Sequence, residues 1–151
     1  MATKSLKARH NELAETNKQL DILSGGVFAD GELPRFKDNL SNIGQYPLRP
    51  KKLEILQINV GYMCNQVCEH CHVDAGPDRK EIMTKETMQQ CLDVISHTDA
   101  HTLDLTGGAP EMNPNFRWFV EEAAKAGIKD FIVRSNLTII MANKKYYDLP
   151  E

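Results

Sequence analysis

Cys64, Cys68 and Cys71 stand in Gly61-Tyr-Met-Cys-Asn-Gln-Val-Cys-Glu-His-Cys-His-Val-Asp, a C-x3-C-x2-C spacing that puts three thiols on one loop. Three thiolates suit three corners of a cubane iron–sulfur cluster, which normally takes four cysteines. Three ligands leave one iron open to bind and activate a small molecule, as open positions do in other catalytic metal sites. The same thiols, completed by His70 or His72, also suit a structural zinc site. The cysteines alone leave both readings open.

The chain around this loop alternates strand and helix. A strand from Leu53 to Val60 leads into the cysteines, and Thr84 caps a helix whose Met88, Cys91, Leu92 and Ile95 form one apolar stripe. A second strand covers about His101 to Thr106. Asn113 and Pro114 open a helix that buries Phe116, Val120 and Ala123 and stops at Gly127, and a third strand runs from Asp130 to Arg134. Such alternation predicts an α/β fold with a parallel sheet. Within the strands, parity separates two faces. Gln57 and Asn59, Asp104 and Thr106, and Arg134 and Asn136 share a polar face, while Leu56, Ile58, Val60, Leu103, Leu105, Phe131 and Val133 share an apolar one. The apolar face should bury against helices and the polar face should line a cavity that holds a polar ligand.

The second strand ends in Thr106-Gly107-Gly108-Ala109-Pro110-Glu111. Two glycines at a strand end let the backbone pass close to a ligand. Alone they would serve equally as an ordinary strand-to-helix turn. One βα unit after C-x3-C-x2-C, they favour a cofactor site. The loops after all three strands should meet at the sheet's C-terminal edge, where parallel α/β folds place their sites.

Together these motifs resemble the radical S-adenosylmethionine (SAM) superfamily. That resemblance implies that Cys64, Cys68 and Cys71 ligate a 4Fe–4S cluster whose fourth iron takes the amino and carboxylate groups of SAM. It implies that Thr106, Gly107, Gly108, Ala109, Pro110 and Glu111 hold the methionine end, with Ala-Pro-Glu standing where the superfamily has Glu-Pro. His70, just before the third cysteine, and Ser135 with Asn136 would lie near the adenosine. Three longer stretches are similar to the arsenosugar-biosynthesis radical SAM proteins: Leu56-Gln-Ile-Asn-Val-Gly-Tyr-Met-Cys-Asn-Gln-Val-Cys, Cys71-His-Val-Asp-Ala-Gly-Pro and Leu105-Thr-Gly-Gly-Ala-Pro-Glu. So is Arg134-Ser-Asn-Leu-Thr, and the likeness runs from about Leu53 to Met141. It implies reductive cleavage of SAM to a 5′-deoxyadenosyl radical and adenosylation of a methylated trivalent arsenic compound. An electron donor such as flavodoxin or ferredoxin is implied, and Asp104 and Arg134 are candidates to meet the substrate.

Two departures stand out. That family commonly has a cysteine where this chain has Ser135, and its members carry a cysteine-bearing C-terminal domain with no counterpart here. Six βα units of roughly 30 residues need about 180, whereas residues 51–151 number 101. The expectation is therefore an N-terminal helical extension and linker over 1–50, followed over 51–151 by half of a radical SAM (β/α)6-type barrel. The remainder of the barrel would be missing, the last strand edge exposed, and the chain inactive alone unless something completes it. Leu6, Leu13 and Leu20 predict one helix from Ser5 to Leu23 stopped by Gly25-Gly26, and a second is expected from Pro34 to Ile43.

Composition sets outer limits. Apolar residues make up 41% and charged residues 26%, as in an ordinary globular domain. A net charge of −3 gives no reason to expect nucleic acid or an anionic membrane as partner. No apolar run approaches the roughly 20 residues of a membrane span, and clustered cysteines read as ligands in a reducing compartment, so cytoplasm is the expected location. Cys91 reads as core, and His97, Asp99 and His101 as solvated turn residues. Asp74 and His72, just after the cysteines, are candidates to orient a ligand or to bond a cluster sulfur. Two rivals to the arsenic reading remain: a radical SAM enzyme for another small molecule or peptide, and an inactive fragment holding a Cys3His zinc site.

Overall fold

The computed structural model describes residues 4–25, 35–146 and 148. The chain divides into two compact units, His10–Lys51 and a second that joins the residues up to Arg9 with those from Lys52 onward. The first unit contains helices α1 (Thr16–Gly25) and α2 (Phe36–Asn42). Pro34 and Gly26, expected to start one helix and stop the other, lie outside the described residues.

The single helix expected from Ser5 to Leu23 does not form. Short 3-10 turns occupy Lys7–Arg9 and Glu12–Ala14, and only from Thr16 does the chain become α-helical. His10 breaks the path with a left-handed φ of 53°. The heptad of leucines was too narrow a signal, because the backbone amides of Leu6 and Lys7 are taken by a carboxylate far along the chain.

In the second unit, strands β1 (Ile55–Asn59), β2 (Thr102–Thr106) and β3 (Asp130–Val133) form a parallel sheet in the order β1-β2-β3. Their register sets Leu103 between Leu56 and Phe131, and Asp104 between Gln57 and Ile132. Helix α3 (Lys85–Ser96) follows β1, its first turn capped by the Thr84 hydroxyl, which accepts from the Thr87 amide at 3.3 Å. Helix α4 (Phe116–Lys125) follows β2, and the short α5 (Thr138–Ala142) follows β3. The sheet is open among the described residues; a closed or half-closed barrel is not shown.

Parity read from the strands accounts for the core. Leu103 and Leu105 are wholly buried against Met88 of α3 and Phe119 and Ala123 of α4, with Ile58 and Val60 beside them. Leu56, Cys91, Trp118, Val120 and Phe131 complete this layer while half-buried. Val133 lies at the margin, exposed. No described helix is long and apolar enough to cross a membrane. Because Phe119 is wholly enclosed, Phe119→Ala should lower stability by about 3–5 kcal/mol through lost transfer energy and a residual cavity, measured as a shift in the urea unfolding midpoint.

Candidate metal centre

The loop between β1 and α3 returns to where it started. Met83 donates its amide to the Val60 carbonyl at 3.0 Å, and the Asn113 side-chain amide donates to the carbonyls of both Val60 (2.9 Å) and Met83 (3.0 Å). Asn113 therefore ties the neck of the loop. The sequence marks Asn113 only as the start of a helix, and no local pattern signals this longer-range role. Inside the loop Tyr62 bonds the Glu81 carbonyl (2.8 Å), Gly76 bonds Tyr62 (3.1 Å) and Cys64 bonds Gly76 (3.3 Å), so the cysteines ride on a hydrogen-bonded excursion.

The diglycine at the end of β2 presses directly on this excursion. A Cβ on Gly107 would stand 2.4 Å from the Gly61 carbonyl oxygen, and one on Gly108 2.3 Å from that of Met63. Gly107 also has a φ of 134°, open only to glycine at low cost. With no side chains in the way, the amides of Gly108 and Ala109 donate to Gly61 and Met63 at 2.9 Å each. Pro110 and Glu111 continue in a buried 3-10 turn, Pro110–Met112. Glu111 is 7% exposed and its Oε2 is buried with no hydrogen-bond partner among the described residues. An unpartnered buried carboxylate oxygen costs free energy and suits a cationic donor from a ligand.

The third loop reaches the same place. Asn136 donates through Nδ2 to the Cys64 sulfur at 3.4 Å and to the Asn65 side-chain oxygen at 2.8 Å. The Gln66 amide also approaches the Cys64 sulfur, at 3.5 Å, and the Ala75 amide donates to the Cys71 sulfur at 3.3 Å. Burial pushes the Cys64 thiol up; the Gln66 and Asn136 donors oppose that, and the neighbouring Cys68 and Cys71 add to it. All three cysteines are free thiols, and among the described residues no three His, Cys, Asp or Glu side chains are closed into a ligand cage. The donor set fits an iron–sulfur cluster: three thiols on one loop, and N–H donors aimed at two of the sulfurs, which favour the thiolate and any cluster sulfur.

Other candidates fall as follows. His70 and His72 are exposed on the cysteine loop, and Thr106 is half-buried opposite Asn59. The Ser135 hydroxyl accepts from the Leu137 amide at 3.0 Å, a local turn contact. Asp74 does not face the sulfurs with its carboxylate, which accepts instead from the amides of Leu6 and Lys7. Cys91 packs at the edge of the helical core, where burial raises its thiol. His97 contacts the Asp93 carbonyl and the Ser96 hydroxyl, as a turn residue does. Beneath the loops, Asp104 forms a ladder across the sheet. It accepts from Gln57 Nε2 at 2.7 Å and from Arg134 Nε and Nη2 at 2.8 Å each.

Comparison with known proteins agrees at the superfamily level. No family model matches the chain. A "Probable GTP 3',8-cyclase" from Saccharolobus islandicus is 27% identical over 86 residues, 57% of this chain and 28% of that protein. One from Methanothermobacter marburgensis is 28% identical over 90 residues, 60% of this chain and 30% of that protein, and one from Sulfolobus acidocaldarius is 23% identical over 86 residues. The matched segment thus spans less than a third of these relatives. GTP 3′,8-cyclases are radical SAM enzymes, so the similarity supports that superfamily and not its arsenosugar branch.

The ladder gives a prediction with a definite pH sign. The Arg134 guanidinium holds the Asp104 carboxyl below its ordinary value, against the opposing effect of burial. A depressed carboxylate contributes stability above its unfolded pKa and loses it as pH falls through the folded one. Arg134→Ala should therefore destabilise the protein at pH 7, by less than loss of a fully buried pair because the guanidinium is exposed to solvent. In urea unfolding, the gap between variant and parent should close as the pH drops below the carboxylate range.

Proposed function

We propose that this chain carries the cluster-binding and SAM-binding part of a radical SAM enzyme. The observation that carries the reading is the seam in which Gly107–Gly108 pack against the backbone of the cysteine loop while Asn136 bonds the Cys64 sulfur. Cys64, Cys68 and Cys71 would hold a 4Fe–4S cluster. A cluster held by these thiols would provide the one-electron reduction of the SAM sulfonium that radical SAM chemistry needs, the C–S cleavage giving methionine and a 5′-deoxyadenosyl group at the radical level. Gly107 to Glu111 would cradle the methionine end, with the unpartnered Glu111 oxygen accepting an N–H from its amino group. The enclosing loops would keep water from the radical. His70 and Asn136 would border the adenosine.

For the substrate, the reading is a methylated trivalent arsenical that receives the 5′-deoxyadenosyl group. It rests on the sequence likeness over the cysteine loop, the diglycine and Arg134-Ser-Asn-Leu-Thr. The GTP chemistry in the relatives' name belongs to proteins of which this chain matches less than a third. A reduced flavodoxin or ferredoxin would deliver the electron.

Anaerobic reconstitution with iron and sulfide tests the cofactor reading. About four irons and four sulfides per chain should load, and dithionite with SAM should yield 5′-deoxyadenosine. Cys64→Ala, Cys68→Ala and Cys71→Ala should each lose the iron, while Cys91→Ala keeps it. One zinc per chain without iron would reject the reading. With a trivalent methylarsenical added, an adenosyl–arsenic product supports the substrate; SAM cleavage without that product removes the arsenical and retains the cofactor.

A further inference from the structure

Ser5 is the unexplained residue of the N-terminal segment, a serine with no exposed surface. Its hydroxyl donates to Asp78 Oδ2 at 2.6 Å and accepts from the Ala8 amide at 3.2 Å, while its own amide reaches Asp78 Oδ1 at 3.3 Å. The next two amides, of Leu6 and Lys7, clamp the two oxygens of Asp74 at 2.5 and 2.9 Å. These contacts span 67 to 73 residues of sequence. A second clamp closes from the other side. Arg79, its side chain 10% exposed, donates to the Asp74 carbonyl at 2.6 Å and carboxylate at 3.2 Å, and lies 4.6 Å above the Tyr62 ring. Arg79 and Lys7 both bond Glu81, whose carboxyl they hold down at about 2.

What these clamps hold is a conformation that the chain would not adopt freely. Asp74 sits at a left-handed φ of 49°, a region that L-residues with a side chain enter only at a cost. That kink follows Cys71 by three residues, returns the Asp74 amide to the Cys71 carbonyl at 3.2 Å, and aims the Ala75 amide at the Cys71 sulfur.

We propose that Ser5–Lys7 form a clasp that positions the third cysteine: by fixing Asp74 they direct the Ala75 N–H onto the Cys71 sulfur, orienting that ligand and raising the reduction potential of the cluster it holds. The effect on potential rests on the cluster reading above; the effect on the loop does not. N–H donors to cluster sulfurs stabilise the reduced, more negative state, so loss of one lowers the potential.

The test uses the whole chain with Ser5→Ala, Asp74→Ala and the conservative Asp74→Asn, which keeps an acceptor and tolerates the left-handed region. In the metal-free reduced protein, exchange of the Ala75 amide should quicken at least about tenfold in the two alanine variants. The β2 amides of Leu103 and Leu105 should keep their protection, and Asp74→Asn, which keeps one of the two acceptor oxygens and sets an NH2 donor in place of the other, should fall between the parent and Asp74→Ala. After reconstitution, the alanine variants should show a lower cluster potential, by redox titration followed by electron paramagnetic resonance. Unchanged Ala75 exchange, or equal acceleration in β2, overturns the clasp. Altered exchange with an unchanged potential overturns the tuning. A parent that loads no cluster defeats the proposed function while the exchange result still decides the clasp.

Discussion

The carbonyl oxygens of Gly61 and Met63 occupy the space that side chains on residues 107 and 108 would need. That close approach is the constraint on which the rest of the site depends. It allows the two amides after β2 to bond the cysteine loop at 2.9 Å, so a 24-residue excursion from Val60 to Met83 is welded to the strand end. Asn113 closes the neck below this weld and Asn136 reaches in from the end of β3. Three loops are thereby fixed at one edge of a parallel sheet, the edge at which such sheets position ligands.

The two faces of that sheet do different work. Leu103 and Leu105 carry the burial that holds α3 and α4 in place. On the opposite face Gln57, Asp104 and Arg134 form one polar ladder. Asp104 is 4% exposed, and a carboxylate so enclosed is tolerable only with paired donors. Arg134 commits Nε and Nη2 to it, so the pair presents little net charge to the space above.

Much of this was legible in the residues. The alternation of strand and helix, the Thr84 cap and the parity of the three strands all carry local signals, and the ends of β1, β2 and β3 lie within two residues of those expected. Gly107-Gly108 was legible because few backbones tolerate glycine pairs without a reason. The N-terminal segment was misread: its leucine spacing said helix, but the Asp74 and Asp78 carboxylates capture its amides from some seventy residues away. Asn113 was half-read for the same reason, since a tie between two distant carbonyls leaves no periodic trace. Closure of the sheet into a barrel belongs to the resemblance and is not seen in the three strands.

The central claim is that three thiols on one loop, braced by a glycine seam, hold a cubane with one corner free of protein. Iron-edge anomalous diffraction from crystals of the anaerobically loaded protein tests it most directly. The account predicts a compact iron density bounded by Cys64, Cys68 and Cys71 alone, beside Gly107 and Gly108. A single zinc atom completed by His70 or His72, or iron bound away from that seam, would contradict it.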